Sequence, residues 1–514
     1  MGERPLVHCT ETLIHMDSQL SERIKFDWLF ALSLGLVFFI VILYNASVLS
    51  GLNSFAYVGL LGALITVTVL YGLLPDTFSR ILYLVGLTLC LPMISHPVEM
   101  LPAGLHESIK NLIVYGDRIQ IRVIVLTLVS FYLCLEIFLS LLVKKSVYLI
   151  HFMSFSGLLL LVVFSHEYIK LSILQVILDL GQILVCAGIF CYFRMDSYNK
   201  LTRKQTDVLV QTIFGFLCLI LLIDILVTLL GVVSWTSTSW RSGYRGLFYA
   251  AEGSYAWILG IGFTYTLMRL KYLSVAFVII LSLAAVYLTL TNIKTATAAF
   301  IMTVLLYPIL QYRLLNKLAL PITISCMVLL IFYLLTAEET NSIAARVGTY
   351  ITYFFSLIEF PNWLIGIKPG VTEFTGPSNL ANSLFATDFA SNISGVNENL
   401  IHELMIRQGY EEGGAFLPHN VVIALTASYG VILLVPAFYY YVTQPWSVLK
   451  NINPYNKLTH SLSGVVIYMA LYGFLHPMII VAPLVVFVEI LRAYNLQHSR
   501  LAVSVGDVAS QSRL

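Results

Sequence analysis

Windows of about twenty apolar residues recur along the whole chain, each as long as a helix needs to cross the hydrocarbon core of a bilayer. In lipid a backbone must satisfy its own hydrogen bonds, which leaves helices and closed barrels as the spanning structures. The windows are far longer than barrel strands, so the 514-residue chain reads as helical. Hydrophobic residues make up 59% and charged residues 11%, and mean hydropathy is +0.87. That is too little charge to solvate a set of soluble domains. A net charge of +2 leaves no electrostatic footprint for nucleic acid. The expected class is an all-α polytopic membrane protein.

The windows place spans at Trp28–Ser50, Phe55–Leu74, Ile81–Ser95, Ile119–Val143, Val147–Phe164, Leu171–Tyr192, Val208–Val232, Gly253–Leu270, Leu273–Leu290, Ala296–Tyr312, Leu318–Thr336, Val421–Val442, His460–Leu475 and Met478–Tyr494. The expectation is therefore about fourteen helices, or twelve to fourteen if the short Ile81–Ser95 is re-entrant. Residues 1–27 are mixed and charged, without a short apolar run and cleavage site. They read as a cytosolic tail before a bundle over 28–336, a large external loop over 337–420, C-terminal helices over 421–494 and a second cytosolic tail over 495–514. With the N-terminus inside, Arg80, Lys144, Lys145, Arg194, Lys200, Arg203, Lys204, Arg269, Lys271, Arg313, Lys317, Lys450 and Lys457 all fall in inward turns. This is the bias of the positive-inside rule.

No C-x-x-C pair occurs among the seven cysteines, which read as small apolar fillers of helices. No zinc spacing, P-loop or H-E-x-x-H is present, so no metal or other cofactor is expected. The segment from Ala337 to His419 is far longer than an ordinary connection, which points to short helices of its own or to a function. It ends in Pro418-His419-Asn420, and an apolar helix is expected to start at once with Val421.

Asn420 stands where an N-cap would stand. His419 beside it is the side chain type that exchanges protons near neutral pH, which makes it the candidate catalytic residue. Arg241 and Arg245 are four apart and would share a helix face. Two guanidiniums at a membrane surface suit a diphosphate through forked, charge-assisted hydrogen bonds, and equally suit lipid headgroups. Lys294, in a very short outward turn, and Arg346, at the start of an interfacial helix, join them as candidate anion ligands. Glu411 and Glu412 precede His419 closely enough to orient it, while Asp388, Glu398 and Glu403 read as solvated. Glu136, Asp179 and Asp224 fall inside spans, where an acid is a functional candidate and where Ser, Tyr or Arg122 could equally pair with it.

These residues sit in stretches that resemble the O-antigen ligase and polymerase superfamily. P-H-N-V-V-I-A-L-T-A-S-Y-G resembles its His-Asn motif, which opens a late membrane helix and is followed by a glycine, here Gly430. Y-R-G-L-F-Y-A-A-E-G resembles its arginine-containing segment, with Ala251-Glu252-Gly253 in place of the usual Pro-Asn. T-N-I-K-T-A-T-A-A-F resembles its Ser-Arg-Thr-Ala turn, with Lys294 in place of the arginine. R-V-G-T-Y-I-T-Y-F-F and L-I-G-I-K-P-G resemble the arginine helix and glycine turn that open its periplasmic loop. The likeness covers roughly Arg241 to Leu434.

The resemblance implies a GT-C-like glycosyltransferase of the bacterial inner membrane, independent of metal, with both termini cytoplasmic and its active site periplasmic. The implied substrate is an oligosaccharide on undecaprenyl diphosphate, and the implied partners are the lipid bilayer and a chain-length regulator protein. His419 is then the base toward the acceptor hydroxyl, Arg241, Arg245, Lys294 and Arg346 bind the diphosphate, and Asn420, Glu411 and Glu412 support them. The long loop, as a site for specific repeat-unit sugars, points to polymerisation of repeat units, with ligation of the finished glycan to lipid A-core as the alternative; transport of the same lipid-linked glycan, from a different class, has the lack of internal repeats and of paired broken helices against it.

Overall fold

The computed structural model describes residues 28–47, 65–91, 121–165, 173–195, 203–230, 254–291, 294–311, 361–366, 420–450, 456–475 and 482–495, with shorter pieces at 50, 52, 62, 96–97, 114–115, 118–119, 247 and 325. They form α1 (Trp28–Ser47), α2 (65–73), α3 (Thr77–Cys90), α4 (Ile121–Val143), α5 (Val147–Ser165), α6 (Ile173–Arg194), α7 (Arg203–Leu229), α8 (Ser254–Arg269), α9 (Val275–Leu290) and α10 (Lys294–Gln311). Next come α11 (Asn362–Ile365), α12 (Val421–Tyr429), α13 (Val431–Phe438), α14 (Gln444–Lys450) and α15 (Lys457–Leu475), then α16 (482–495). A π-helical turn, Tyr439–Thr443, joins α13 to α14. The strands among the described residues are three two-residue pieces, His96–Pro97, Val114–Tyr115 and Arg118–Ile119, paired antiparallel.

The protein is thus a helical membrane protein. Among the described residues four helices are long and apolar enough to cross a bilayer: α1, α4 from Val125, α5, and α7 from Gln205. α5 is the least buried of these and presents Ile150, Met153, Leu161 and Phe164 outward. α9 does the same with Val275, Val278, Ile279 and Val286. Apolar side chains on both the packed and the open face are what a lipid-facing helix requires.

Several expected spans are shifted. Ile81–Ser95 starts earlier, at Thr77, because Asp76 caps it by accepting from the Ser79 amide at 2.8 Å. Arg80 therefore lies in the first turn of α3 and not in a connecting turn. The span expected over Val421–Val442 is broken at Gly430 into α12 and α13. Leu318–Thr336 and the first half of Phe55–Leu74 lie outside the described residues, apart from Gly62 and Ser325.

α4 with α6, and α8 with α15, make the most extensive helix contacts. Small residues let these helices close up, as is usual in membrane bundles. A Cβ on Gly181 of α6 would fall 2.8 Å from the Thr127 methyl of α4, and one on Gly464 of α15 would fall 2.6 Å from Met268 of α8. One on Gly260 of α8 would overlap the Tyr468 ring. Gly260 facing Tyr468 and Met268 facing Gly464 makes α8 and α15 antiparallel.

Polar side chains gather at one end of the bundle. Arg80 Nη1 bonds Glu136 Oε2 of α4 at 2.8 Å, and Thr77 Oγ1 donates to the other carboxylate oxygen at 2.6 Å. The Arg80 Nε also donates to the Leu74 carbonyl at 2.9 Å, closing the end of α2. Phe78 packs edge-on against Phe193, beside Arg194 at the end of α6. Arg194 meets Glu489 of α16 at 3.4 Å, and Arg492 meets the same carboxylate at 2.6 Å. Tyr494 donates to Asp207 of α7 at 3.1 Å. Arg269 bonds Tyr265, whose ring stacks on Phe214 at 3.7 Å. α3 and α7 begin at this belt, and α4, α6, α8 and α16 end at it.

Candidate functional site

α12 is the element on which the candidate site is built. Asn420 precedes it in an extended conformation, φ −151° and ψ 119°, so its side chain folds back over the helix start. Its Oδ1 accepts from the amides of Val422 at 2.9 Å and Ile423 at 3.1 Å. These are two of the donors that a helix N-terminus leaves without an intrahelical partner. Two hydroxyls of α12 are satisfied by its own turns: Thr426 Oγ1 donates to the Val422 carbonyl at 2.7 Å and Ser428 Oγ to that of Ala424 at 2.9 Å. α12 packs against α5, α11, α13 and α15, and Val421, Ala424, Ala427 and Tyr429 are fully buried.

α12 ends where another chain segment crosses it. Gly430 has φ +64° and ψ −153°, and Gly366, which follows α11, has φ +85° and ψ 171°. Both lie in a backbone region that essentially only glycine adopts. The two turns touch through their backbones. A Cβ on Gly366 would fall 2.6 Å from the Ser428 carbonyl oxygen, and one on Gly430 would overlap the Leu364 carbonyl. Gly366 is the glycine of L-I-G-I-K-P-G, and Gly430 is the one that follows His-Asn. Gly366 therefore lies at one end of α12 and Asn420 at the other.

The helix ends on either side of the short connection before Lys294 are described. α9 ends at Leu290, with the Thr291 amide bonded to the Tyr287 carbonyl at 3.1 Å, and α10 starts at Lys294. Thr297 Oγ1 donates back to the Leu288 carbonyl at 3.2 Å, which ties the two helix ends together. α9 starts just after Arg269, at the polar belt, so the Lys294 turn lies at the other end of the bundle. His419, Arg241, Arg245, Arg346, Glu411 and Glu412 lie outside the described residues, as do Asp388, Glu398 and Glu403.

The membrane carboxylates are resolved in two cases. Glu136 pairs with Arg80, Thr77 and, at 3.3 Å, Tyr71. Asp224 is wholly buried in α7, where its Oδ1 accepts from the Leu247 amide at 2.6 Å. A third carboxylate, Glu489, escaped the sequence reading. It lies inside the span expected over Met478–Tyr494, so the rule that marks acids in apolar segments was enough to find it. Its environment is more elaborate than the others'. Pro436 within α13 is followed by the π-helical turn. From that turn the Tyr440 hydroxyl donates to Glu489 at 3.1 Å and Tyr439 accepts from Arg194 at 2.9 Å.

No protein-family model matches the chain, and comparison with curated proteins and with solved structures returns no match.

Proposed function

We propose that this protein is a metal-independent, inverting glycosyltransferase of the bacterial inner membrane that polymerises oligosaccharide repeat units carried on undecaprenyl diphosphate. In this reading His419 takes the proton of the acceptor hydroxyl as it attacks the anomeric carbon, and the diphosphate leaves against Arg241, Arg245, Lys294 and Arg346. The observation that carries the reading is the geometry of α12. His419 directly precedes a helix whose start is closed by Asn420 and whose end is pinned by Gly366 on Gly430. A base must be held within hydrogen-bond reach of the proton it removes, and a short helix fixed at both ends is a firm mount for one.

The test uses purified protein in nanodiscs with lipid-linked repeat units and EDTA. His419→Ala should lose about 10²–10⁴ in rate, the range for a positioned general base, with EDTA without effect. His419→Gln should stay nearly inactive. Chain formation by His419→Gln at the wild-type rate would remove the base role. Transfer to lipid A-core in place of chain growth would assign ligation.

The break at Gly430 favours a second reading. Secondary transporters line their substrate sites with interrupted membrane helices, and α12 and α13 are such a pair. Turnover separates the two: new glycosidic bonds formed without an ion gradient support the transferase, and gradient-dependent movement of an unchanged lipid-linked glycan supports the transporter.

A further inference from the structure

Two arginines share one carboxylate in the polar belt. Glu489 Oε2 accepts from Arg492 Nε at 2.6 Å. Glu489 Oε1 lies 3.4 Å from Arg194 Nη2 and accepts from the Tyr440 hydroxyl at 3.1 Å. The carboxylate is fully buried, and both arginine side chains are partly exposed. Among the described residues neither arginine pairs with a second acid. Arg194, Arg492 and Glu489 together therefore carry one positive charge in excess. Other acids of the belt have partners of their own: Asp207 accepts from Tyr494, and Glu136 is paired with Arg80.

Donors are in excess as well. A guanidinium has five N–H groups. Arg492 gives one to Glu489 and one, at 3.3 Å, to the Phe193 carbonyl near the end of α6. Arg194 directs Nη2 at Glu489 and at the Tyr439 hydroxyl, 2.9 Å away. Its Nε is buried and has no hydrogen-bond partner among the described residues. A buried donor without an acceptor is costly, and an oxyanion beside Arg194 is an acceptor that would satisfy it. The centre of the Phe190 ring lies 4.7 Å from Arg194 Cζ, which with Tyr439 and Glu489 holds the guanidinium in place.

Position narrows the ligand. Arg194 is the last residue of α6, and Arg492 stands in the last turn of α16. Both are at helix ends, where a span leaves the hydrocarbon. The positive-inside rule predicts that this end is cytoplasmic. Basic pockets between membrane helices on that side suit phosphate-bearing headgroups, and the forked N–H pairs of arginine match phosphate oxygens. We propose that Arg194 and Arg492 form a binding site for a phosphate group carrying one negative charge, with Glu489 as the carboxylate that spaces them. The phosphate belongs to an anionic phospholipid headgroup or to an ion from solution. This site is separate from the one proposed for the diphosphate and stands whether or not that reading holds.

The experiment records thermal unfolding of the full-length protein in nanodiscs of phosphatidylcholine, in nanodiscs that also contain phosphatidylglycerol, and in the first kind with inorganic phosphate at matched ionic strength. Native mass spectrometry counts the phosphatidylglycerol that each protein retains. An occupied site raises the unfolding temperature by mass action. Stabilisation of wild type by phosphatidylglycerol alone assigns a lipid headgroup, by inorganic phosphate alone a free ion, and by both a site open to either. Arg194→Lys and Arg492→Lys keep the charge and lose the fork, so each should weaken binding about tenfold or more, the order of a lost hydrogen bond to a charged group. Glu489→Gln should unfold earlier in phosphatidylcholine yet retain more phosphatidylglycerol than wild type, because it leaves two positive charges in excess. Removing two charges elsewhere at the same end, by Lys145→Gln with Lys271→Gln, should leave the shift in place. Wild type that neither gains stability from either anion nor retains phosphatidylglycerol would overturn the proposal. So would lysine variants that bind as wild type does, or a shift lost with Lys145 and Lys271, which is the mark of general attraction to a basic surface. If an arginine variant does not fold, Glu489→Gln decides, and retention no stronger than that of wild type counts against the site.

Discussion

Asn420 and His419 are neighbours in the chain whose roles can be tested apart. Asn420 accepts two amide hydrogens at the start of a nine-residue helix. Asn420→Ala should therefore destabilise the protein by about 1 kcal/mol, the usual value of an N-cap, while Asn420→Asp, which presents the same acceptor, should be close to neutral. Thermal unfolding in detergent, followed by tryptophan fluorescence, checks both. If His419 is the base, its alanine variant should show the reverse profile, with an unchanged transition and lost turnover. An Asn420→Ala variant as inactive as His419→Ala, with an unshifted transition, would move the chemistry to Asn420. The cap was legible in the sequence because an amide directly before an apolar run has one local use. The pairing of Glu136 with Arg80 was not, because an acid inside a span says that it needs a partner without saying which.

At the scale of elements, the pieces that could be read were those set by hydropathy. α4, α5, α6, α8, α9 and α15 lie within a few residues of the apolar windows that announce them. The break in the helix after His419 could not be read that way. V-V-I-A-L-T-A-S-Y-G-V-I-L-L is mostly apolar and carries no charge, and one glycine in such a run is ordinarily tolerated in a helix at about 1 kcal/mol. The cause of the break is distant in the chain: the turn after α11 occupies the place that a continued helix would need. The contact predicts that Gly366→Ala and Gly430→Ala each cost about 1–3 kcal/mol from backbone conformation, before any overlap is counted. The double variant should cost clearly less than the sum, since the first substitution already separates the two turns. Denaturation of the four proteins of this cycle measures the coupling. Strict additivity would mean that the turns do not depend on each other.

The whole molecule is polarised. The belt collects Arg80, Arg194, Arg269 and Arg492 at one end, while the start of the helix at Lys294 lies at the other. The positive-inside rule predicts that the belt is the cytoplasmic end. A topology reporter fused near Ser391 should then be active only in its periplasmic form, and a cytoplasmic signal would invert the orientation together with the proposed site. The belt's most buried part also carries a stability prediction. Glu489 is fully buried, and Arg194 and Arg492 are 24% and 20% exposed. Glu489→Ala leaves both guanidiniums facing a space without a carboxylate, and removal of one partner from a buried ion pair costs about 3–5 kcal/mol. Glu489→Gln keeps an acceptor for Tyr440 and for one arginine, so its loss should be smaller. The knot lies at the end of the bundle away from Lys294, so these losses should appear in the unfolding transition and not in turnover per folded molecule. The check is to run thermal unfolding and chain formation on the same nanodisc preparations. A Glu489→Gln protein with a wild-type transition and no turnover would overturn that division, because it would tie the π-helical turn and its tyrosines to movement of the helix that follows His419.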